Sequence, residues 1–295
     1  MIPGSRIRNL TGNRGKPAMT EFTKRAFLAA TACTCCASAV GRSFAATSPA
    51  SVGTFGGEGL PTLLELGTDP MTRIGETVWV ARIAPQLWLH TTTATIEGGY
   101  VFPANGLIVE RPRGSLLIDT GYSPDQSELL LQWSNINLAS PISSAIATHF
   151  HRDRTGGIDG LKAHRIRTLA SPLTCALAKE HALPLPEPIK GFGDTPYRFA
   201  ADCELFFPGA GHTHDNIVAW LPKHRVLFGG CFLKSVTSDD LGNVADADIP
   251  DWSASVRRAH AQYPLAKISI PGHGSIAGDP VAQTLTLLAK TNEQN

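Results

Sequence analysis

The segment Thr148-His149-Phe150-His151-Arg152-Asp153-Arg154-Thr155-Gly156-Gly157 carries two imidazoles and a carboxylate at alternate positions. In an extended stretch alternate side chains point to one side, so His149, His151 and Asp153 are expected to converge. Two nitrogen donors and one oxygen donor so placed suit zinc, which takes nitrogen, oxygen and sulfur ligands. Three further candidates follow: His212 in Pro-Gly-Ala-Gly-His-Thr (208–213), Cys231 in Phe-Gly-Gly-Cys (228–231) and His273 in Pro-Gly-His-Gly (271–274). Each is set among glycines, which let the backbone turn sharply. His214 stands two residues beyond His212 and faces similarly, so spacing alone leaves that choice open. A lone histidine is ordinarily a core or surface residue, and a lone cysteine a small hydrophobe. Four strand ends with the same feature point instead to one site.

These residues need strands to carry them. Short apolar runs at 144–148, 204–207, 226–228 and 267–270 end just before the four candidate segments, and further strand-like runs occur at 77–83, 87–91, 106–109, 115–118 and 217–221. Helical patterns fall at 124–135, 156–163, 172–182, 251–263 and 280–291. This alternation predicts an α/β fold with helices covering sheets on more than one side, and functional groups gathered at strand ends are how such folds assemble a site.

Composition narrows the class. Lys and Arg number 26 against 25 Asp and Glu, a formal net charge of +1. There is no basic surplus to neutralise a phosphate backbone, so nucleic acid is not an expected partner. No apolar run reaches the roughly 18 residues a membrane span needs. Residues 1–46 read as a cleaved export leader: a basic stretch from Thr20 to Arg25, a small apolar run from Ala26 to Val40, and Ser43-Phe44-Ala45 for a signal peptidase. Thr23–Leu28 resembles a twin-arginine signal with lysine first, with the ordinary secretory route as the alternative. Either makes the protein periplasmic. Residues 47–60 read as a flexible linker, and one domain runs over 61–295. Cys33, Cys35 and Cys36 leave with the leader. Cys175, Cys203 and Cys231 remain, an odd number that leaves at least one thiol unpaired. Cys175 and Cys203 read as buried apolar residues, or as a disulfide.

The four segments, in their order and approximate spacing, resemble the zinc motifs of the metallo-β-lactamase family. Asn105–Val109 and Leu117–Gly121 look like the strands that lead to its site, and the resemblance covers roughly Thr77 to the end. It implies a four-layered αβ/βα sandwich with metals at one edge. Arg154 directly after the aspartate, and Cys231 where many relatives carry aspartate, resemble the first subclass of class B β-lactamases. His149, where the mono-zinc subclass has asparagine, implies two zinc ions. By resemblance His149, His151 and His212 hold the first, and Asp153, Cys231 and His273 the second; the family's ligand directly follows glycine, which selects His212 over His214.

The resemblance also implies that Lys234 pairs with the substrate carboxylate, that Asn243 polarises the lactam carbonyl, and that Asp153 orients the nucleophile. Asp119 either orients the site or ends a strand, Arg154 either balances charge beneath the second metal or is a structural ion-pair residue, and Thr92–Tyr100 is a mobile hairpin over the substrate or a plain surface turn. His90, His164, His181, His224 and His260 have no matching context and are expected to be structural. The implied activity is hydrolysis of a β-lactam, hence antibiotic resistance, by zinc-bound hydroxide without a covalent enzyme intermediate, in a monomer. No serine has lysine three residues later, so the S-x-x-K of serine β-lactamases is missing. Fold does not fix substrate, and a thioesterase or lactonase of the same fold is the alternative.

Overall fold

The computed structural model describes residues 71–96 and 99–294. The leader expected over 1–46 and the linker over 47–60 lie outside these residues, as does the beginning of the domain expected from residue 61. Two sheets form the described part. The first runs in sequence order through β1 (Thr72–Gly75), β2 (Val78–Ala84), β3 (Leu87–Thr95), β4 (Val101–Val109), β5 (Ser115–Ile118), β6 (Ile142–Ile146), β7 (Arg167–Ala170) and β8 (Glu187–Pro188). It is antiparallel as far as β5 and parallel from β5 to β8. Parallel neighbours need crossover connections, most often helical. These are α1 (Pro124–Asn137), then α2 (Arg152–Thr155) with α3 (Ile158–Ala163), then α4 (Pro172–Glu180).

The second sheet comprises β9 (Tyr197–Ala200), β10 (Cys203–Phe206), β11 (Val218–Leu221), β12 (Val226–Gly230) and β13 (Ile268–Pro271). Its one parallel pair, β12 with β13, is joined through α5 (Ile249–Gln262), and α6 (Pro280–Gln294) follows. The helix starts are written locally. Pro124 and Pro172 open α1 and α4, where a missing N–H costs nothing. Ser171 Oγ caps α4 by accepting from Thr174 N–H, and the Asp248 carboxylate caps α5 by accepting from Asp251 N–H.

Strand alternation divides the core into three. Leu107, Val109, Leu116 and Ile118 of the first sheet meet Leu205, Ala219, Leu221 and Phe228 of the second. The intervening Ile108 and Leu117 turn outward onto Leu130, Leu131 and Leu161 of α1 and α3. Likewise Val218 and Leu227 turn outward onto Trp252 and Val256 of α5 and Leu288 of α6. Helices, sheet, sheet and helices are therefore the four layers of the expected αβ/βα sandwich. Sequence patterning missed β1, β7, β8, β9 and α2. Each is short, and none offers more than a residue or two of apolar alternation.

At one edge the two sheets are stitched by backbone hydrogen bonds. Ile217 N–H donates to the Thr148 carbonyl at 2.9 Å and Asn105 N–H to Gly272 at 2.8 Å, while within the second sheet Gly272 N–H donates to Gly230 at 2.7 Å. That edge holds the C-terminal ends of β6, β12 and β13.

Candidate metal centre

The chain beyond β6 does not stay extended. Thr148 to His151 is a run of bends, and Arg152 to Thr155 forms the single turn α2 with His151 at its N-cap. The expected convergence of His149, His151 and Asp153 is thus reached by turning the backbone, not by period-two alternation along a strand. The His149 and His151 rings lie 4.9 Å apart, and each lies 5.1 Å from the His212 ring, in edge-to-face arrangements. Their ligand atoms fall within 4.8 Å of one another, and the same limit holds for His149, Asp153 and Cys231. His273 Nε2 completes the second group, 3.0 Å from Cys231 Sγ and 3.2 Å from Asp153 Oδ2. All six sequence candidates are therefore brought together, as two contiguous sets of three. His214 is not: it sits at the surface, 3.9 Å from Asp248.

Glycine is required where the two loops touch. A Cβ on Gly272 would come within 2.5 Å of the Cys231 nitrogen and 2.7 Å of Arg154 Nη2, and Gly230 takes a φ of 56°. Cys231 and His273 can approach because Gly272 puts no side chain between them.

The protonation states suit a cation. Burial, with His151 and His212 adding to it, holds His149 well below the ordinary imidazole value. Burial and the nearby Lys234 do the same to His212, and burial lowers His273 despite its contact with Asp153. Neutral imidazoles keep a nitrogen lone pair for a metal. Hydrogen bonds decide which nitrogen. His273 Nδ1–H donates to the Pro103 carbonyl at 2.6 Å, which leaves Nε2. His151 Nε2 meets Asp246 Oδ2 at 2.8 Å, which leaves Nδ1. His149 Nε2 is buried with no partner at all. An orphaned, buried nitrogen beside two more imidazoles is costly unless a cation takes it. The residues present fit zinc.

Arg154 lies under the second set, fully buried. Its Nη2 donates to Asp153 Oδ2 at 2.8 Å, Cys231 Sγ at 3.0 Å and the Gly272 carbonyl at 3.0 Å. Its Nη1 donates to Asp119 Oδ2 at 3.0 Å and the Asn105 carbonyl at 2.6 Å. Burial raises Asp153, but Arg154 and His273 more than offset this and hold it well below the usual carboxylate range. Asp119 stays raised, to about 6, because burial outweighs its share of the same guanidinium. Burial pushes the Cys231 thiol up to about 12. Asp119 makes the strand-end turn expected as one alternative. It turns the strand end with a φ of 63°, and it accepts from Thr148 N–H and Oγ1–H as well as from Arg154.

The family model described as the metallo-β-lactamase superfamily matches residues 99–273. The chain belongs to that superfamily. It is 34% identical over 208 residues to "Metallo-beta-lactamase type 2" of Bacteroides fragilis, covering 70% of this chain and 83% of the relative. The Bacillus cereus protein of the same name is 36% identical over 219 residues, covering 72% and 83%. Among solved structures, the metallo-β-lactamase FIM-1 from Pseudomonas aeruginosa in its mono-zinc form superposes with a TM-score of 0.70 at 33% identity, over 74% of this chain and 98% of that one. The metallo-β-lactamase of Erythrobacter litoralis gives 0.69 at 32% identity, over 75% and 100%.

The site opens to solvent. A cleft of about 510 Å³ is lined by five of the six candidates together with Lys234 and Asn243. Lys234 is 8% exposed, with its ammonium 5.2 Å from the centre of the Trp252 ring, so it is not the solvated lysine its charge alone suggests. Asn243 Oδ1 accepts from Ala245 N–H, so the residue makes a turn and still lines the cleft with its amide nitrogen uncommitted. The β3–β4 hairpin forms, pairing Thr95 with Val101, and its Phe102 stacks on His273 at 4.5 Å. His181, expected to be structural, lines the cleft against Phe150. Asp246 was not anticipated. It reaches His151 from 95 positions along the chain, and nothing in its local sequence marks it. Cys175 and Cys203 are both free, Cys203 buried and Cys175 half-buried, so no disulfide joins them.

Proposed function

We propose that this protein is an exported di-zinc β-lactamase that hydrolyses the lactam amide without a covalent enzyme intermediate. One observation carries the reading: two contiguous three-residue sets, His149/His151/His212 and Asp153/Cys231/His273, at the floor of a cleft whose walls include Lys234 and Asn243. The likeness to proteins named metallo-β-lactamases supports it. Each set offers three protein ligands, which leaves a position for water or substrate, as catalytic zinc needs. Bound zinc supplies Lewis acidity, which makes water a competent nucleophile near neutral pH.

The chain's own residues do the rest. Lys234 holds the substrate carboxylate, and burial makes that pairing stronger than a surface contact. The Asn243 amide N–H donates to the lactam carbonyl as charge builds on its oxygen. Asp153, kept ionised by Arg154, orients the attacking water and binds metal. Asp246 and the Pro103 carbonyl fix the ring orientations of His151 and His273. Phe102 and Tyr122 close the sides of the cleft. The basic and apolar start of the sequence supports export to the periplasm.

The test is hydrolysis of a carbapenem by the purified mature protein, with zinc and with a chelator. Zinc-dependent turnover is expected. No turnover by protein shown to hold two zincs refutes the reading and moves the search to thioesters and lactones.

A further inference from the structure

Tyr122 lines the cleft with Asp153 and Cys231. Its side chain is half-buried, yet its hydroxyl oxygen is shut off from solvent and has no hydrogen-bond partner among the described residues. The polar end of the ring therefore points inward. A buried hydroxyl without a partner is destabilising, and phenylalanine would supply the same ring without that cost.

The backbone of Tyr122 is fixed against the turn that carries Asp153. Gly121 before it takes a φ of 83°. Tyr122 N–H donates to Gln126 Oε1 at 2.8 Å, and its carbonyl accepts from Arg152 Nε–H at 3.3 Å. A Cβ on Gly156, the C-cap of α2, would collide with that same carbonyl. Burial, and then the nearby Asp153, raises the phenol well above its ordinary value. The hydroxyl keeps its proton and is a donor to whatever sits against Asp153 and Cys231.

What it meets there follows from the covalent frame of the substrate. In a bicyclic β-lactam the ring nitrogen is bonded both to the carbonyl carbon and to the carbon that bears the carboxylate. With the carbonyl at Asn243 and the carboxylate at Lys234, the nitrogen lies between these anchors, over the floor of the cleft.

We propose, resting on the β-lactamase reading, that Tyr122 is a further catalytic residue, whose hydroxyl donates a hydrogen bond to the lactam nitrogen as the C–N bond breaks. Water adds its oxygen to the carbonyl carbon, the C–N bond breaks, and its electron pair passes to nitrogen. The hydroxyl stabilises that pair until a proton from the attacking water reaches it. The tyrosine keeps its own proton throughout.

The experiment compares wild type with Tyr122→Phe on two substrates that place the negative charge differently. In benzylpenicillin the pair stays on nitrogen. In a cephalosporin with a dinitrostyryl group conjugated to that nitrogen, it is drawn away into the substituent. A donor to nitrogen matters most for the first. In the variant kcat should fall about tenfold on benzylpenicillin and less than about threefold on the cephalosporin, with KM little changed, the size of one hydrogen bond to a charged group. Bound zinc, counted by elemental analysis, should stay at the wild-type number. In chelated protein the variant should unfold at a Tm no lower than wild type, because no protein contact is lost. A loss equal on both substrates or larger on the cephalosporin, no loss on either, fewer bound zincs, or a lower Tm of the metal-free variant overturns the assignment. Failure of the wild type to hydrolyse either compound overturns instead the β-lactamase reading beneath it.

Discussion

Arg154→Leu should be the most damaging single substitution near the site, and the structure says by how much. Arg154 is fully buried, and its two terminal nitrogens serve Asp119, Asp153, the Cys231 sulfur and two backbone carbonyls. Leucine keeps part of the apolar bulk but leaves Asp119, at 1% exposure, without a countercharge. Breaking one side of a buried ion pair costs about 3–5 kcal/mol, which for a domain of this size lowers Tm by roughly 6–20 °C. The assay is thermal and urea unfolding of chelated, metal-free protein. The pH dependence supplies a signature that mere loss of packing does not. Asp119 is already raised to about 6 by burial, with Arg154 opposing. Removing Arg154 raises it further, so a proton taken up as pH falls relieves the unpaired charge. The stability deficit should therefore be larger at pH 8 than at pH 5. Asp119→Asn in the Arg154→Leu background should recover part of it, with a coupling of about 1 kcal/mol or more. A deficit below about 1 kcal/mol, or one that does not change with pH, refutes this account of Arg154.

Cys231→Ser should reduce bound zinc, counted by elemental analysis, from two to one and cut β-lactam hydrolysis strongly; unchanged stoichiometry and rate remove Cys231 from the ligand set. Asp246→Ala should weaken zinc affinity or kcat/KM by about 10–100-fold, because such outer partners orient metal-binding histidines; wild-type values of both would make the 2.8 Å contact with His151 incidental. His90 gives an acid-stability prediction. Burial lowers it from 6.5 to about 4, so the unfolded chain takes a proton that the folded one resists. The stability involved is fully present above pH 6.5 and is lost as pH falls through 4; at about 1.4 kcal/mol per tenfold change in proton affinity it amounts to about 3 kcal/mol. His90→Gln should flatten the unfolding free energy against pH between 6.5 and 4, and an unchanged slope would assign the acid loss to other groups.

What was legible in the sequence is what depends on local pattern. The αβ/βα layering follows from alternation that the strands keep, as at Leu107-Ile108-Val109, where successive residues enter different cores. The six ligand candidates were visible because three share one H-x-H-x-D string after a strand and the other three, His212, Cys231 and His273, each follow a strand and are flanked by glycine; Gly272 has a physical reason to be glycine in its approach to Cys231. The route by which His149, His151 and Asp153 converge was not legible. An H-x-H-x-D string fits an extended strand and a bend-plus-turn equally, and the choice is made by packing. Asp246 and the Pro103 carbonyl were hidden for a different cause. They act through single long-range contacts, 95 and 170 positions from their histidines, and carry no local signature. His181 was set aside because its neighbours in sequence are ordinary; its place in the cleft comes from the end of α4 reaching Phe150.

The electrostatics explain why residue 154 is arginine. Without a metal, the imidazoles of His149, His212 and His273 are neutral and the Cys231 thiol keeps its proton, so Asp153 is the anion of the second set. One fixed cation has to serve Asp153 on one side and Asp119 on the other while still contacting the cysteine sulfur. A lysine ammonium is a point charge at the end of a flexible stem. A guanidinium is a planar fork whose two nitrogens can face different partners at once. Here Nη1 takes Asp119 and Nη2 takes Asp153 and Cys231. The same fork donates to the carbonyls of Asn105 and Gly272, which belong to the two sheets. The charge that poises the ligands is therefore also a tie across the sandwich, and the metal floor cannot loosen without parting the layers beside it.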